Sequence, residues 1–452
     1  MISFARAPRP IAFQAICRAA GYGRSGWTRG GEAPYREGGA PTRICDSRAA
    51  AAHGGRKTLK TSTDRILTTH TGSLPRSKTL SAMLVKREQR KPFDRDAFAA
   101  EVASNMDVNL RRQAEAGVDI GNDGETPRVG FSTYTTERMK GFGGESLRKP
   151  TLDTVKYPGF ADFMRRQIGI SDELAKVWNA PQCVDALSYD PDLTEAKEES
   201  RLFREASART GVKFVENFMS AASPGIVACT MLLSPSNPVY KTDADYVMAI
   251  AKELKKEYDY IVSQGYVLQL DAPDLAMERV IMFGDQPLNV FLDRVDLHVE
   301  AMNVALADIP RDRVRLHVCY GNWNGPHQDD VDLVDLLPHL YKAKVGALSI
   351  PVGNPRHEHE IGVFKTLPPP DGMVLIPGVI DVTTNYLEHP ELVANRICTT
   401  VEAVGDRERV IAGTDCGFGT FASYEFIAED IVWAKLGTLA EGARVATRRL
   451  WG

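Results

Sequence analysis

Several features that would place a chain of 452 residues in a familiar class are missing from this sequence. No apolar run approaches the roughly 18 residues that a membrane-spanning helix needs. The seven cysteines lack paired spacing, which argues against a disulfide framework and favours a reducing compartment, the cytoplasm. Neither a Walker motif nor a dinucleotide-binding glycine fingerprint is present, so no nucleotide cofactor is expected.

Outside the N-terminal segment, the sequence also lacks an excess of positive over negative charge. Residues 1–60 hold 11 Lys+Arg against 3 Asp+Glu, and because the whole chain has a net charge of −4, residues 61–452 carry −12. This acidic balance argues against nucleic-acid binding. Residues 1–61 have no helix or strand periodicity and are predicted to be a disordered extension. A transit peptide, or translation from an upstream start codon, would have the same composition. Residues 62–452 are predicted to form the folded domain.

Short apolar runs alternate with amphipathic stretches through that domain. The runs predicted as strands are Ile66–His70, Val118–Asn122, Gly225–Leu232, Tyr266–Asp271, Val314–Cys319, Ala347–Ile350, Val374–Ile380 and Val410–Thr414. Helical periodicity lies between them, as in Asp243–Val262 and Asp332–Lys344. The alternation predicts an α/β fold, a (β/α)8 TIM barrel. The stretch 131–213 is too long for one connection, so a helical insertion after the second strand is predicted.

The most informative residues are His317 and Cys319, at the end of a predicted strand, with Cys416 after a later one. Residues i and i+2 of a strand point to the same side, so the first two side chains can reach one ion. One imidazole and two thiolates are good zinc ligands, and three protein ligands leave a coordination position open. Buried cysteines are more often inert core residues, so the neighbourhood has to decide.

That neighbourhood is polar at nearly every predicted strand end, where the active sites of such barrels lie. The groups found there are Thr71-Gly72-Ser73, Gly124-Glu125, Ser223-Pro224-Gly225 (before its strand), Asp271-Ala272-Pro273, the run from Asn354 to Glu360, Ile380-Asp381 and Thr414–Gly417. Core packing does not explain this recurrence.

Taken in order, these motifs resemble the catalytic half of cobalamin-independent methionine synthase and its short single-barrel relatives, which include the epoxyalkane:coenzyme M transferases. The resemblance covers about residues 64–435 and rests on Thr69–Arg76, Gly121–Glu125, Leu270–Pro273, the His317/Cys319 pair and Asp415–Gly417. It implies a zinc-dependent transfer of an alkyl group to a thiol.

Position by position, the resemblance implies zinc on His317, Cys319 and Cys416. The thiol amino acid would be held by the backbone of Gly72 and Ser73 and by the carboxylates of Glu125 and Asp271. The aspartate at position 381 would be catalytic.

Three departures from the family pattern concern the donor. Pro351 replaces a glutamate that the methionine synthases supply as a further zinc ligand. Thr383 replaces a histidine near Asp381 that helps to protonate the leaving folate nitrogen. The second, N-terminal half of the long enzymes, which helps to hold polyglutamyl folate, is also absent from this sequence.

Four further residues near the predicted metal strand are ambiguous. His357 and His359 are candidates for a general acid or a fourth metal ligand, or belong to a solvated loop. Arg356 is suited to clamping an anionic tail by bidentate hydrogen bonds, or to a structural ion pair. Trp323 either stacks on a flat donor or packs its own loop.

Three hypotheses follow. The first is a zinc-dependent thiol S-methyltransferase acting on homocysteine with a methylated folate or similar donor. The second keeps the metal site but opens an epoxide with a thiol such as coenzyme M. The third, which Pro351 motivates, is a non-catalytic relative that retains the barrel and binds a ligand.

Overall fold

The computed structural model describes residues 58–168 and 180–452. The extension predicted over residues 1–61 therefore lies almost wholly outside the described residues. Leu59 is already packed, because its N–H donates to the Asp312 carbonyl at 3.0 Å and its side chain contacts an inner apolar cluster. Within the described ranges, no helix combines the length and the hydrophobicity of a membrane span.

The central feature is a sheet of six parallel strands. In sheet order they are β1 (Ile120–Gly121), β4 (Glu216–Ala222), β5 (Val267–Asp271), β6 (Val314–His317), β7 (Ala347–Pro351) and β8 (Val374–Gly378). A separate antiparallel ribbon consists of β2 (Met139–Gly143) and β3 (Gln182–Tyr189). Every neighbouring pair in the larger sheet is parallel, as the predicted βα alternation requires.

Two further extended segments lie beside the outer strands. Single parallel bridges join Thr69 to Ile120 of β1 and Leu375 of β8 to Val410, and another joins Thr68 to Ala412. The two segments therefore connect the edges of the six-stranded sheet through their own contact. Eight parallel segments follow one another in sequence and in space.

Helices connect and cover these strands. They are α1 (Lys78–Glu88), α2 (Arg95–Ala116), α3 (Thr135–Arg138), α4 (Leu152–Lys156), α5 (Pro158–Ile168), α6 (Thr194–Thr210), α7 (Pro224–Thr230), α8 (Asp243–Ser263), α9 (Glu278–Ile281), α10 (Leu288–Ala305), α11 (Leu333–Leu340), α12 (Pro390–Val404) and α13 (Glu429–Trp451). Short 3-10 turns occupy Pro273–Leu275, Arg311–Arg313, Glu358–Lys365 and Arg407–Arg409. A capping box at Thr242 and Asp245 starts α8.

Two predictions about the elements are corrected. The run 225–232, predicted as the third strand, is mostly α7, and the strand lies just before it as β4. Ser223 caps α7 by accepting from the Ile226 N–H at 3.0 Å, and Pro224 occupies its first turn. The insertion is also mixed and not purely helical, because it contains the β2–β3 ribbon besides α3, α4 and α5.

Alternation along the strands divides the interior into two apolar clusters. A small inner cluster takes residues from seven of the eight parallel segments: Leu67, Ile120, Phe218, Val267, Ala347, Val374, Ile376 and Ile411. The residues between them, such as Leu268 and Leu316, pack outward with the helices. Because side chains alternate, positions two and four residues beyond the inner cluster point inward at the carboxyl edge of the sheet.

Candidate metal and thiol site

The three predicted metal ligands meet at that carboxyl edge. His317 is the last residue of β6. The Val318 N–H still donates to the Ser349 carbonyl at 3.0 Å, so the backbone stays extended and Cys319 remains on the same side as His317. Cys416 follows the last parallel segment. One ligand atom from each of the three side chains lies within 4.8 Å of the other two.

The His317 imidazole has no hydrogen-bond partner among the described residues that satisfies the usual geometry. The residue is 3% exposed, and neither ring nitrogen has a hydrogen-bond partner in the described part of the chain. Leaving a buried polar group unpaired costs about 1–3 kcal/mol, and native structures rarely tolerate it. The geometry therefore indicates a position that an external ligand completes.

The two cysteines form a close pair. Their sulfur atoms are 3.7 Å apart, with the Cys416 thiol donating to Cys319. That hydrogen bond lowers the pKa of Cys319 and, because its proton is held in the contact, raises the pKa of Cys416. The Gly321 N–H also donates to the Cys319 sulfur at 3.2 Å. Asn322 joins the two ligand loops by donating to the Gly417 carbonyl at 2.9 Å.

Two buried carboxylates lie beside the ligands. Asp271, at the end of β5, is the register partner of His317, and Gln269 donates to its Oδ1 at 2.7 Å. Glu125 accepts from Ser220 Oγ at 2.7 Å through Oε1, while its Oε2 is buried without a partner. Burial and the nearby Glu125 carboxylate raise the pKa of Asp271 well above its usual range. Neither group forms an ion pair among the residues described, so the pair is suited to a cationic ligand.

Gly72 lies against the Glu125 carboxylate and leaves room for it. Its φ is +138°, and a Cβ there would lie 2.6 Å from Glu125 Oε1, so a larger residue would displace the carboxylate. The Gly72 N–H donates to His70 Nδ1 at 3.1 Å and is not directed at a ligand. Ser73, predicted with Gly72 to hold a substrate, does line the cavity.

One cavity of about 510 Å³ opens onto the three predicted metal ligands and both buried carboxylates. Its floor is polar and contains Ser73, Glu125, Asp271, His317, Cys319 and Cys416. Its walls come from α4, α5 and the loops after the strands, and include Phe131, Phe160, Met277, Trp323 and Phe421. This volume lies within the range of about 300–1,000 Å³ that is usual for ligand pockets. The structure thus brings together seven predicted site residues around one space.

A smaller cavity of about 120 Å³ shares Cys319 and Cys416 with the first. It is lined by Trp323, Pro351, Arg356, His357, Asp381 and Thr383, among others. Pro351 is thus placed beside the cysteines, as the missing glutamate ligand would be, and offers no ligand atom. Asp381 Oδ1 accepts from both the backbone N–H and the hydroxyl of Thr383 at 2.8 Å.

His357 lines this smaller cavity, but both of its ring nitrogens are engaged. Nδ1 contacts Glu360 Oε2 at 2.7 Å, and Nε2 contacts Asp330 Oδ2 at 3.0 Å. Burial by itself would lower the pKa of His357, but the hydrogen bonds to Asp330 and Glu360 raise it to about 9. The ring also stacks on Tyr320, with centroids 3.8 Å apart. His357 is therefore an imidazolium that donates both protons to carboxylates, and it supports the loop containing Cys319.

The remaining predicted residues are placed less favourably for chemistry. His359 is exposed and lines neither cavity. Arg356 is also exposed, and its Nε and Nη2 donate to the His327 and Gln328 carbonyls at 2.9 and 3.1 Å. Trp323 Nε1 donates to Asp153 Oδ2 at 3.1 Å, so its indole is fixed by packing and hydrogen bonding at the cavity wall.

Sequence reasoning missed the residues that hold these groups. Gln269 precedes Asp271 by two positions, and the period of a strand would have indicated a shared face. Asp330, which bonds His357, carries no local signal because it is 27 residues away, whereas Glu360 lies within the run from Asn354 to Glu360 that the sequence already indicated. Asp153 contacts Trp323 across 170 residues, a pairing that only the folded chain reveals.

Comparison with known proteins agrees with the motifs. Residues 216–430 match the model of the catalytic domain of the cobalamin-independent synthases. The chain is related to the cobalamin-independent methionine synthases. A methionine synthase from Thermococcus kodakarensis is 25% identical over 382 residues, covering 84% of this chain and 93% of that protein.

Two further comparisons concern a relative with a different activity and a solved structure with a similar fold. A 2-hydroxypropyl-CoM lyase from Xanthobacter autotrophicus is 28% identical over 236 residues, which is 47% of this chain and 57% of the lyase. The structure of a B12-independent methionine synthase from Shewanella sp. W3-18-1 matches with a TM-score of 0.61 at 20% identity, covering 86% of this chain and 99% of that one. The predicted α/β fold with a parallel sheet is thereby confirmed.

Proposed function

We propose that the chain is a zinc-dependent thiol S-methyltransferase that acts on homocysteine, with residues 62–452 forming a closed (β/α)8 barrel. The observation that carries this proposal is the shared cavity. The His317, Cys319 and Cys416 ligand atoms open onto the same space as two buried carboxylates that form no ion pair with any described residue.

The three ligands fit zinc. Tetrahedral zinc with Zn–S bonds of about 2.3 Å requires two sulfur ligands about 3.8 Å apart, and the Cys319 and Cys416 sulfurs are 3.7 Å apart. One of the two His317 ring nitrogens, neither of which has a hydrogen-bond partner among the described residues, would supply the third ligand. When bound, zinc would deprotonate a thiol ligand and keep the sulfur nucleophilic. Pro351 offers no ligand atom at the position where the methionine synthases supply a glutamate.

The carboxylates select the thiol. Glu125 and Asp271 are suited to bind the ammonium group of a thiol amino acid, and a bound ammonium would stabilise both as carboxylates. The sulfonate of coenzyme M would instead face two negative charges. Homocysteine therefore fits the floor of the cavity better than coenzyme M does.

Fewer residues are proposed to contact the methyl donor than the thiol. Trp323 lines both cavities and Asp381 lines the smaller one, and both remain our candidates for contact with the donor. The general-acid role predicted for His357 is not retained, because both ring nitrogens are bonded to carboxylates. His359 and Arg356 are not retained either, since both are exposed.

Epoxide opening by a thiol is the second candidate. The match to the 2-hydroxypropyl-CoM lyase and the replacement of the glutamate ligand by Pro351 favour it, whereas Glu125 and Asp271 oppose it. A non-catalytic relative would keep the cavity without turnover.

Metal analysis and thiol binding separate these candidates. We expect one zinc per full-length chain, and X-ray absorption should show one additional sulfur ligand after homocysteine is added but not after coenzyme M. An added sulfur with coenzyme M alone would favour the second candidate. Protein without stoichiometric zinc would refute the proposed function.

A further inference from the structure

We infer that the methyl donor is an onium compound, a sulfonium or quaternary ammonium ion whose leaving atom departs without a proton. This inference rests on the proposed function and adds the chemical class of the second substrate. Three features of the described residues carry it: the engagement of the acidic groups beside the cysteines, the aromatic walls of the larger cavity, and the charge of its floor.

The first feature concerns the acid that an amine leaving group would need. Among the described residues around the two cavities, both ring N–H groups of His357 donate hydrogen bonds to carboxylates, one to Glu360 and one to Asp330. Asp381 accepts two hydrogen bonds from Thr383 through one oxygen, and Thr383 itself replaces the expected histidine. Asp415, which also lines the smaller cavity, accepts from the Gly353 N–H at 2.8 Å and from Asn354 Nδ2 at 3.0 Å, so both of its oxygens are engaged. An amine that leaves as an anion is a very poor leaving group, so protonation by a positioned acid is normally required. A positively charged donor leaves as a neutral molecule and needs no acid.

Asp271 does not supply the missing proton. It lies on the floor next to His317, where Gln269 donates to it, and the ammonium group of the bound thiol would stabilise it as a carboxylate. Tyr424, on the wall, has its pKa raised by burial, so its hydroxyl is a weak acid at neutral pH.

The second feature is the aromatic surface of the larger cavity. Five rings line it: Phe131, Phe160, Trp323, Phe421 and Tyr424. Phe131 and Phe421 meet edge to face, with centroids 5.5 Å apart, which gives a wall of ring faces and edges. Aromatic walls of this kind bind quaternary ammonium and other alkylated cations through the ring quadrupole.

The third feature is the negative charge of the lining. The two cationic side chains at the cavity each have an acidic partner, Arg148 with Glu278 and Arg165 with Asp162. Glu125 and Asp271 have none in the described part of the chain. A polyanionic folate tail would find no unpaired cation on this lining.

The transfer balances without a further reactant. The thiol of homocysteine releases its proton to solvent on binding. Its sulfur then forms a bond to the methyl carbon as the bond from that carbon to the onium sulfur or nitrogen breaks, and the bonding pair stays on the departing atom. With trimethylsulfonium, the products are methionine and dimethyl sulfide. With a quaternary ammonium donor, the second product is a tertiary amine.

The test compares four donors with the zinc-loaded full chain and homocysteine. Deuterated methyl groups are supplied as trimethylsulfonium, glycine betaine, 5-methyltetrahydrofolate or methylcobalamin, and labelled methionine is measured by mass spectrometry. We expect labelled methionine from one of the two onium donors, with one equivalent of its neutral product, and none from 5-methyltetrahydrofolate. Transfer from trimethylsulfonium or from betaine identifies which onium class is used. Transfer only from the folate or only from methylcobalamin overturns the inference.

Binding of homocysteine is followed separately by X-ray absorption. If homocysteine binds but none of the four donors reacts, the onium inference fails and the assignment of the thiol stands. If homocysteine does not bind, the proposed function fails and the inference with it. The two failures are therefore distinguishable.

A matched pair of variants provides a second readout on α5. Phe160 lines the cavity, whereas Phe163 on the same helix is 44% exposed and does not line it. We expect Phe160→Leu to weaken calorimetric binding of trimethylsulfonium by roughly 3- to 10-fold, the range of a cation–π contact, with no change for tert-butanol, a neutral molecule of similar shape. Phe163→Leu should change neither. Equal losses for both probes in Phe160→Leu would overturn the aromatic part of the argument.

Discussion

Two buried histidines follow neighbouring strands of the sheet, and their surroundings are opposite. His317 ends β6 and has no hydrogen-bond partner for either ring nitrogen in the described chain. His357 follows β7, and both of its nitrogens contact carboxylates. The ring nitrogens of His317 lack partners until a ligand binds them, whereas the protein itself supplies both partners of His357. The comparison separates the region that binds from the region that supports it.

This contrast predicts that changes at the floor affect binding and changes in the supporting loops affect stability. Four variants test it, in decreasing order of expected effect.

His317→Leu should have the largest effect. Removing a ligand should lower methyl transfer by more than about 100-fold, since loss of an outer hydrogen-bond partner alone costs 10- to 100-fold in metal affinity or activity. In the presence of a chelator, however, the free energy of unfolding should be unchanged or higher, because an unpaired buried polar group has been removed. Zinc content and urea unfolding measure the two quantities. A variant that retained one zinc per chain would refute the assignment.

His357→Gln should show the opposite result, and pH makes it specific. The pKa of His357 is raised from about 6.5 in the unfolded chain to about 9, so its contribution to stability is fully present below pH 6.5 and is lost as the pH rises to 9. At 1.36 kcal/mol per pKa unit, this is about 3 kcal/mol. The wild type should therefore lose more stability than His357→Gln between pH 6.5 and 9 in urea unfolding. Parallel curves, or loss of zinc by the variant at pH 7, would contradict the supporting role.

The same contrast shows what the sequence could predict. His317, Cys319, Cys416 and Asp271 were found because strand periodicity places side chains at one edge, and the helix at 243–263 follows its predicted face. The prediction that residues 225–232 form a strand was wrong, because a short and mostly buried helix has the same apolar composition as a strand. The strand before it carries Glu216, Asn217 and Ser220, polar residues that a search for apolar runs passes over.

The role of His357 could not be predicted, since its two partners are chosen by the fold. Asp330 lies in the loop after β6, and Glu360 lies in the turn after β7. Both the binding and the supporting histidine have the same local signal, a histidine after a short apolar strand. Only the positions of the carboxylates distinguish them.

Glu125→Gln should have a smaller effect, confined to one class of thiol. A hydrogen bond to a charged group contributes about 1.5–3 kcal/mol, so homocysteine should bind roughly 10- to 100-fold more weakly. Binding of 2-mercaptoethanol, which has no ammonium group, should not change. Zinc content serves as the control for an intact site. Equal losses for both thiols would show that Glu125 acts on the metal ligands and not on the amino acid.

Trp323→Phe should have the smallest effect and tests the supporting side of the contrast. The Trp323 Nε1–H donates to Asp153 Oδ2 at 3.1 Å, and the same oxygen also accepts from the His327 N–H at 3.1 Å. Phenylalanine removes one of these hydrogen bonds and keeps an aromatic ring at the cavity, so Asp153, which is 1% exposed, retains a donor. The free energy of unfolding should fall by about 1 kcal/mol in urea, while homocysteine affinity and zinc content stay unchanged. A loss of homocysteine affinity without a loss of stability would place Trp323 with the binding floor and remove the boundary between the two regions.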